Sequence, residues 1–541
     1  MSAAKPKNPP QAPSPRAQSC TQGKACAGNE ESAETRKGRR RAQVEQRKAA
    51  YKARRAMGKA QRQADVQGVW GGGAPAGVAG SNRTCRYESV AQEREARQQA
   101  CIEQIERVRR LWPGMRRRFA QMPDPRNPKK TKHCLTVLML YGVLFCVLRM
   151  ASRREGNREM TRPQFLENLR LWFPEIDELP HQDTLARVLE KSHPEGIEGA
   201  LLGLVDQLIR QKKFARYLVQ NCYPIAVDGT QKLTRDALIS PEWLTRTVRT
   251  ADGTEEQHYV YVLEANLVFF NGMTIPVLSE FLTYAGGEES KQDCEQRAFG
   301  RVVERLRRAF PRLPILLLLD GLYPNGPMME LCRTNRCQFM MVLPEESLPS
   351  LWEDFRGLRQ LLKENVLEMT WKGRRQRFTW VNGIGYRYGK NDKQCQTAHV
   401  VVCDESWAEC DEAGNEITKT ARHAWISSEP LNRKNLHERC NLGARYRWGI
   451  EESLQTEKHH GYQYEHCFSQ TWNAMRAYHY LMRIGHLINV LVWYSSALSR
   501  GLRELGIRGF LDFVRASLAA PWMDPQVVQA SLARPRQLRL V

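Results

Sequence analysis

Residues 313–323 read LPILLLLDGLY: a proline, a run of five aliphatic residues, then Asp320, Gly321 and, three residues past the Asp, Tyr323. An uninterrupted apolar run of this length, opened by Pro and closed by Asp-Gly, is what a strand buried on both faces looks like. Residues 223–230, YPIAVDGT, repeat the pattern with Asp228. Both runs are expected to be strands that deliver a carboxylate to the sheet edge. Between them, YVYVLEANLVFFNGMTIPVLSEF reads as a hairpin about Asn271-Gly272, and CEQRAFGRVVERLRRAF as a helix. The expected order is therefore strand, strand, strand, helix, strand, with aspartates closing the first and fourth strands. That order is the front half of a ribonuclease H-like α/β fold.

A third acid comes from a helical pattern. Residues 445–458 read RYRWGIEESLQTEK, and on a helix Arg447, Glu451 and Lys458 share one face. Glu452 lies about 100° around the helix from Glu451 and is its rival. Trp448, set between charged helical residues, is expected to pack into the core. Two strand-end aspartates and a helical glutamate suit a two-metal site for phosphoryl transfer, with Asp228 bridging two ions and Asp320 and Glu451 each holding one. Each acid also has a plainer reading. Asp-Gly after a strand commonly makes a turn, and a glutamate on a charged helix is commonly solvated.

The formal net charge of +23 favours a polyanionic partner, and about half of it lies in the first 65 residues. Fifteen cysteines follow no framework and no pair has zinc-finger spacing, which suits free thiols in a reducing compartment. The longest apolar run, residues 135–148, is shorter than the ~20 residues of a membrane span and reads as a buried helix.

Composition and periodicity divide the chain into domains. Residues 1–85 are expected to be a disordered basic tail, and 86–205 a helical domain, its first helix ended by Pro113, that fits a DNA-binding module and a plain packing domain equally. Residues 206–330 form the first half of the catalytic domain and 331–435 a mainly β insertion. Its second half spans 436–510, and 511–541 form a C-terminal tail. The segments KGRRQRFTW, RYRW and YGKNDK interleave cations with aromatics, as a phosphate-tracking surface does.

The three acidic motifs resemble those of the DDE transposases of bacterial insertion sequences, in the subgroup with a Tyr–Arg–Glu–Lys signature. Asp228-Gly229-Thr230 matches the first motif, Asp320 with Tyr323 the second, and Arg447, Glu451 and Lys458 the signature, with Ala444 at the Tyr position. The resemblance implies a ribonuclease H-like catalytic domain that holds two Mg²⁺ or Mn²⁺ ions on Asp228, Asp320 and Glu451. It implies binding of transposon-end and target DNA, with Arg447 and Lys458 touching the strand beside the scissile phosphate. Cleavage would be followed by transfer of a 3′-OH strand, in a homodimeric complex in the bacterial cytoplasm, without a membrane or a small-molecule substrate. A nuclease of the same fold without strand transfer would carry the same motifs; the other alternative is an inactive DNA-binding derivative, against which the intact Asp228, Asp320 and Glu451 argue.

Overall fold

The computed structural model describes residues 87–250, 253–283, 294–410, 416–534 and 536–541. The expected basic tail lies outside the described residues. Tyr87–Val541 make up one compact unit.

Among the described residues six α-helices precede the first strand: α1 (Val90–Phe119), α2 (Leu135–Val147), α3 (Arg153–Met160), α4 (Pro163–Arg170), α5 (Gln182–Lys191) and α6 (Glu195–Arg210). Pro113 does not end α1, contrary to the sequence expectation. The apolar face continues past it through Met115 and Phe119, both fully buried, and their packing outweighs the lost backbone hydrogen bond. The apolar α2 is a buried core helix. No helix among the described residues is long and apolar enough to cross a membrane.

The strands then form one mixed sheet. They are β1 (Tyr223–Arg235), β2 (Leu244–Thr250), β3 (Gly253–Val268), β4 (Thr274–Phe281), β5 (Ile315–Leu319), β6 (Gln338–Val342), β7 (Val366–Trp371), β8 (Arg374–Tyr388), β9 (Gln394–Cys410) and β10 (Glu416–Ser427). Their order is β2-β3-β1-β5-β6-β10-β9-β8-β7, with β4 also paired to β3. Strands β1 and β5 are parallel, as are β5 and β6, and every other pairing is antiparallel. Helix α7 (Glu295–Ala309) crosses from β4 to β5, α8 (Gly326–Thr334) from β5 to β6, and α9 (Pro349–Leu361) leads to β7. The β3–β4 hairpin turns at Asn271-Gly272 as expected, but through a three-residue loop. Phe269 and Met273 pair across it, and Gly272 takes the φ of +87° that such a loop requires.

Two further departures matter for the site. Strand β1 does not stop at Asp228. It runs on to Arg235, because TQKLTR alternates and pairs with β3. The interval 331–435 is also less separate than expected. It supplies β6 to the central sheet and a helix, and β7–β10 extend that same sheet through the β10–β6 pairing.

After β10 a π-helical turn (His437–Gly443) and a 3₁₀ turn (Ala444–Trp448) lead into α10 (Gly449–His459) and then α11 (Trp472–Trp493). The chain ends with α12 (Arg500–Arg503), α13 (Gly506–Leu518) and α14 (Pro525–Ala533). Helices α13 and α14 return to pack on α1, so residues 506–533 complete the helical layer rather than trail from it.

Helices α10 and α11 lie against β1, β3 and β4 through a buried ionic network. The Arg483 guanidinium on α11 bridges Glu457 on α10 at 3.0 Å and Glu264 on β3 at 3.2 Å, and all three side chains are fully buried. His486 Nδ1 lies 2.6 Å from Glu457, and His479 Nε2 lies 3.1 Å from Glu264. A bulge at Lys232 turns its side chain inward, where Nζ donates to the Tyr464 carbonyl at 2.6 Å.

Burial outweighs the Glu264 carboxylate and pushes His479 down from 6.5 to about 4. Arg483 and His479 overcome burial at Glu264 and hold it at about 2. Between pH ~6.5 and ~4 the unfolded chain binds a proton at His479 that the folded protein refuses, so stability rises with pH across that window. Below ~4.5 Glu264 acts in the same sense, since its depressed folded value means that stability is lost on the way down to about 2. Urea midpoints should therefore fall steadily from pH 7 to pH 4, and His479→Gln should flatten that decline.

Candidate active site

The site forms where β1 outruns its parallel neighbour. Pairing of β1 with β5 ends at Ala226 opposite Leu318, so Asp228 stands beyond the end of β5 and Asp320 follows directly on that end. On the other side Asp228 pairs with Glu264 of β3, the residue gripped by Arg483. Directly opposed residues point to one face. That face is the one covered by α10, which carries Glu451.

The charges of these residues are felt at Asp228. Burial first, then the Glu451 carboxylate, push it up to about 7, with Asp320 and Glu295 adding to the rise and Arg447 opposing it. Glu451, rather than Glu452, is the acid on the inner face; Glu452 is exposed to solvent. Asp320 is anchored by its own turn, one carboxylate oxygen accepting from Leu322 N at 2.9 Å. The turn reading and the site reading of Asp320 therefore hold together.

Glu295 is not among the acids that the sequence singles out. It opens α7, and its two carboxylate oxygens accept from Tyr261 OH at 2.9 Å and Tyr323 OH at 2.8 Å. An acid in the first turn is what any helix start favours, so nothing in the sequence marks it. Tyr323 is fully buried and packs on Phe299, its ring centroid 4.7 Å away. Gly229 leaves the room this needs, since a Cβ there would meet Glu295 Oε2 at 2.6 Å.

Arg447 lies in the 3₁₀ turn and is 5% exposed. Its Nη2 donates to Glu451 at 2.7 Å, while Nε and Nη1 have no hydrogen-bond partner among the described residues. Lys458 sits on α10 with Nζ 3.2 Å from the half-exposed Glu465. Trp448 is not in the core. It is 61% exposed and flanks Arg447, because the tight turn before α10 swings it outward. A groove of about 450 Å³ runs from Asp320 past Arg447 and Trp448 to Trp425 and Arg422 on β10.

Arg445 looks in the sequence like a surface charge two residues from Arg447, and it is nothing of the kind. It donates to the fully buried Glu405 carboxylate at 2.6 Å and lies between the rings of Trp371 and Trp425. Arg374, Gln376 and His423 hold the same carboxylate. Arg445→Ala should cost about 1.5–3 kcal/mol of stability, the range for a charged hydrogen bond lost from a buried partner. Urea unfolding would read this directly.

Among the described residues no three acidic, His or Cys side chains stand close enough to hold an ion as they are. The donor set nonetheless suits one class. Asp228, Asp320, Glu451 and Glu295 offer hard oxygens alone, as Mg²⁺ and Mn²⁺ prefer, and Asp228 is raised by its burial first and by the neighbouring carboxylates second.

Residues 116–205, from the last turn of α1 through most of α6, match the family model described as DDE_Tnp_1-associated. No curated protein matches the chain. The family match points to a transposase-related protein of the DDE type.

Proposed function

We propose that the protein is a DNA transposase that binds the ends of an insertion element, cuts DNA and transfers a 3′-OH strand into target DNA. The observation that carries this reading is that Asp228, beyond the end of β5, feels the charges of Glu451 and Asp320, in a chain with a DDE_Tnp_1-associated segment. The order β4-β3-β1-β5-β6, three antiparallel strands followed by two parallel ones, favours a ribonuclease H-like core.

Asp228, Asp320 and Glu451 would hold two divalent ions. Bound there, Mg²⁺ or Mn²⁺ activates an oxygen nucleophile and stabilises the leaving oxygen. Arg447 orients Glu451 through Nη2 and keeps two N–H groups for a phosphate oxygen. Lys458 would exchange its weak pairing with Glu465 for the strand backbone. The exposed cations Lys372 in the β7–β8 turn and Arg375 and Arg377 on β8, from the segment KGRRQRFTW, would continue that contact. Two protomers would join two element ends.

The test is incubation of the full-length protein with DNA carrying the sequences that flank its gene, with Mg²⁺ or Mn²⁺. Cut ends joined to a second DNA are the expected product. Cutting without joining would favour the nuclease reading, and intact DNA under both metals would rule out both.

A further inference from the structure

The helical layer carries a groove that shares no residue with the candidate active site. Where α1 packs on α6, two cavities of about 300 and 710 Å³ adjoin at Gln207. Among the described residues no carboxylate lines either of them. Arg117 and Arg118 line the smaller, and Arg107, Arg110, Lys213 and Arg536 the larger. Gly203 opens the smaller cavity. A Cβ there would collide with the Arg118 guanidinium, which lies against the α6 backbone.

The six cations are not equally neutralised. Arg110 pairs with Glu106 at 2.6 Å and Arg536 with Glu103 at 2.8 Å, both from beneath the groove floor. Among the described residues Lys213 gives its Nζ only to the Leu538 carbonyl, at 2.9 Å. Arg117 and Arg118 are exposed, with no ion pair among the described residues. Arg107 is the informative one. It is 8% exposed, it forms no ion pair with a described residue, and its Nε has no hydrogen-bond partner.

A buried guanidinium with a free N–H costs stability unless something else completes it. An anion in the groove would do so. From Arg107 to Arg118 the lining spans eleven residues of helix, about 17 Å, which is longer than one phosphate needs and suits a row of them. The neighbouring glutamines add uncharged donors of the kind that meet phosphate and sugar oxygens.

We propose that this groove tracks the sugar–phosphate backbone of duplex DNA, as a contact independent of base sequence. It rests on the reading of the protein as one that acts on DNA. The chemistry it needs is a polyanion of regular spacing, so it contributes affinity and register rather than choice of sequence.

The experiment measures binding of the full-length protein to a short fluorescent duplex of random sequence, in EDTA, across a salt series. The variant Arg117→Gln/Arg118→Gln/Lys213→Gln removes three phosphate contacts. The slope of log affinity against log salt should shrink by about 2.7, at roughly 0.9 per contact, with at least a tenfold loss of affinity at low salt. Arg308→Gln/Arg312→Gln/Lys363→Gln takes the same charge from exposed positions elsewhere and should move the slope by less than about 1.

Arg107→Met should bind more weakly yet melt no lower than the parent, because it removes a buried charge that the fold leaves incompletely paired. Equal slopes for the two triple variants would overturn the proposal, and so would an Arg107→Met protein that binds like the parent. Asp228→Asn should keep the full slope. Failure to cut DNA therefore bears on the active site alone, and an unchanged slope bears on the groove alone.

Discussion

Asp228→Asn, Asp320→Asn and Glu451→Gln should each abolish metal-dependent cleavage of end DNA while leaving DNA binding and folding intact. Each substitution is nearly isosteric and removes one negative charge from a site where the charges already oppose one another. Asp228→Asn and Asp320→Asn should therefore melt at or above the parent temperature, whereas Glu451→Gln weakens the ion pair of the buried Arg447 and should melt somewhat lower while still folding. Loss of the partner of a metal ligand typically costs 10–100-fold in metal affinity or activity, so loss of a ligand itself should exceed about 100-fold. Single-turnover cleavage in Mg²⁺, with thermal melts alongside, makes the measurement. Glu452→Gln is the internal control and should cut normally. An active Glu451→Gln beside an inactive Glu452→Gln would mean that the helix presents the other acid to the strand.

The largest expected loss of stability belongs to Arg483. Its guanidinium is the shared partner of Glu264 and Glu457, and all three side chains are fully buried. Arg483→Met strands two carboxylates out of reach of water, and removing one partner of a buried pair costs about 3–5 kcal/mol. Arg483→Lys should recover only part of this, since a point charge cannot reproduce a fork that reaches two acids on separate elements. Equilibrium unfolding in urea is the readout, and a loss under about 1 kcal/mol for Arg483→Met would mean that water already reaches the network. The cleavage rate should fall as well, at temperatures where the variant is still folded. Glu264 stands opposite Asp228 in the β1–β3 ladder, and Glu457 lies on the helix that carries Glu451. The clamp thus ties the strand bearing one acid to the helix bearing another.

Much of the core order was legible from local pattern. The run ILLLL could be little other than a buried strand, Asn271-Gly272 marked a hairpin, and residues 295–309 showed helical periodicity. The Arg447–Glu451 pairing followed from spacing alone, since residues four apart meet across a helical turn. Where the local pattern misled, a distant contact had outweighed it. Pro113 breaks an isolated helix, but Met115 and Phe119 pack into the core beyond it. Asp228-Gly229 looks like a strand end, but β3 offers a partner that carries β1 seven residues further. Trp448 is exposed and Arg445 half-buried against Glu405, the reverse of what their residue types suggest, because the chain winds as π and 3₁₀ turns before α10.

By itself, then, the sequence determined which segments are strands and helices, which three acids stand beside apolar runs or on a helical face, and that the net charge is +23. Those properties depend on neighbours within a few residues and on summed charge. Only the tertiary structure decided that Asp228 feels the charges of Glu451, Asp320 and Glu295, that Tyr261 and Tyr323 both donate to Glu295, and that Arg107 is buried without a full complement of partners among the described residues. Coulombic coupling and desolvation depend on distance and burial in space, and residues 228 and 451 are brought together only by the β1–β3 ladder and the Arg483 clamp that seats α10 against it.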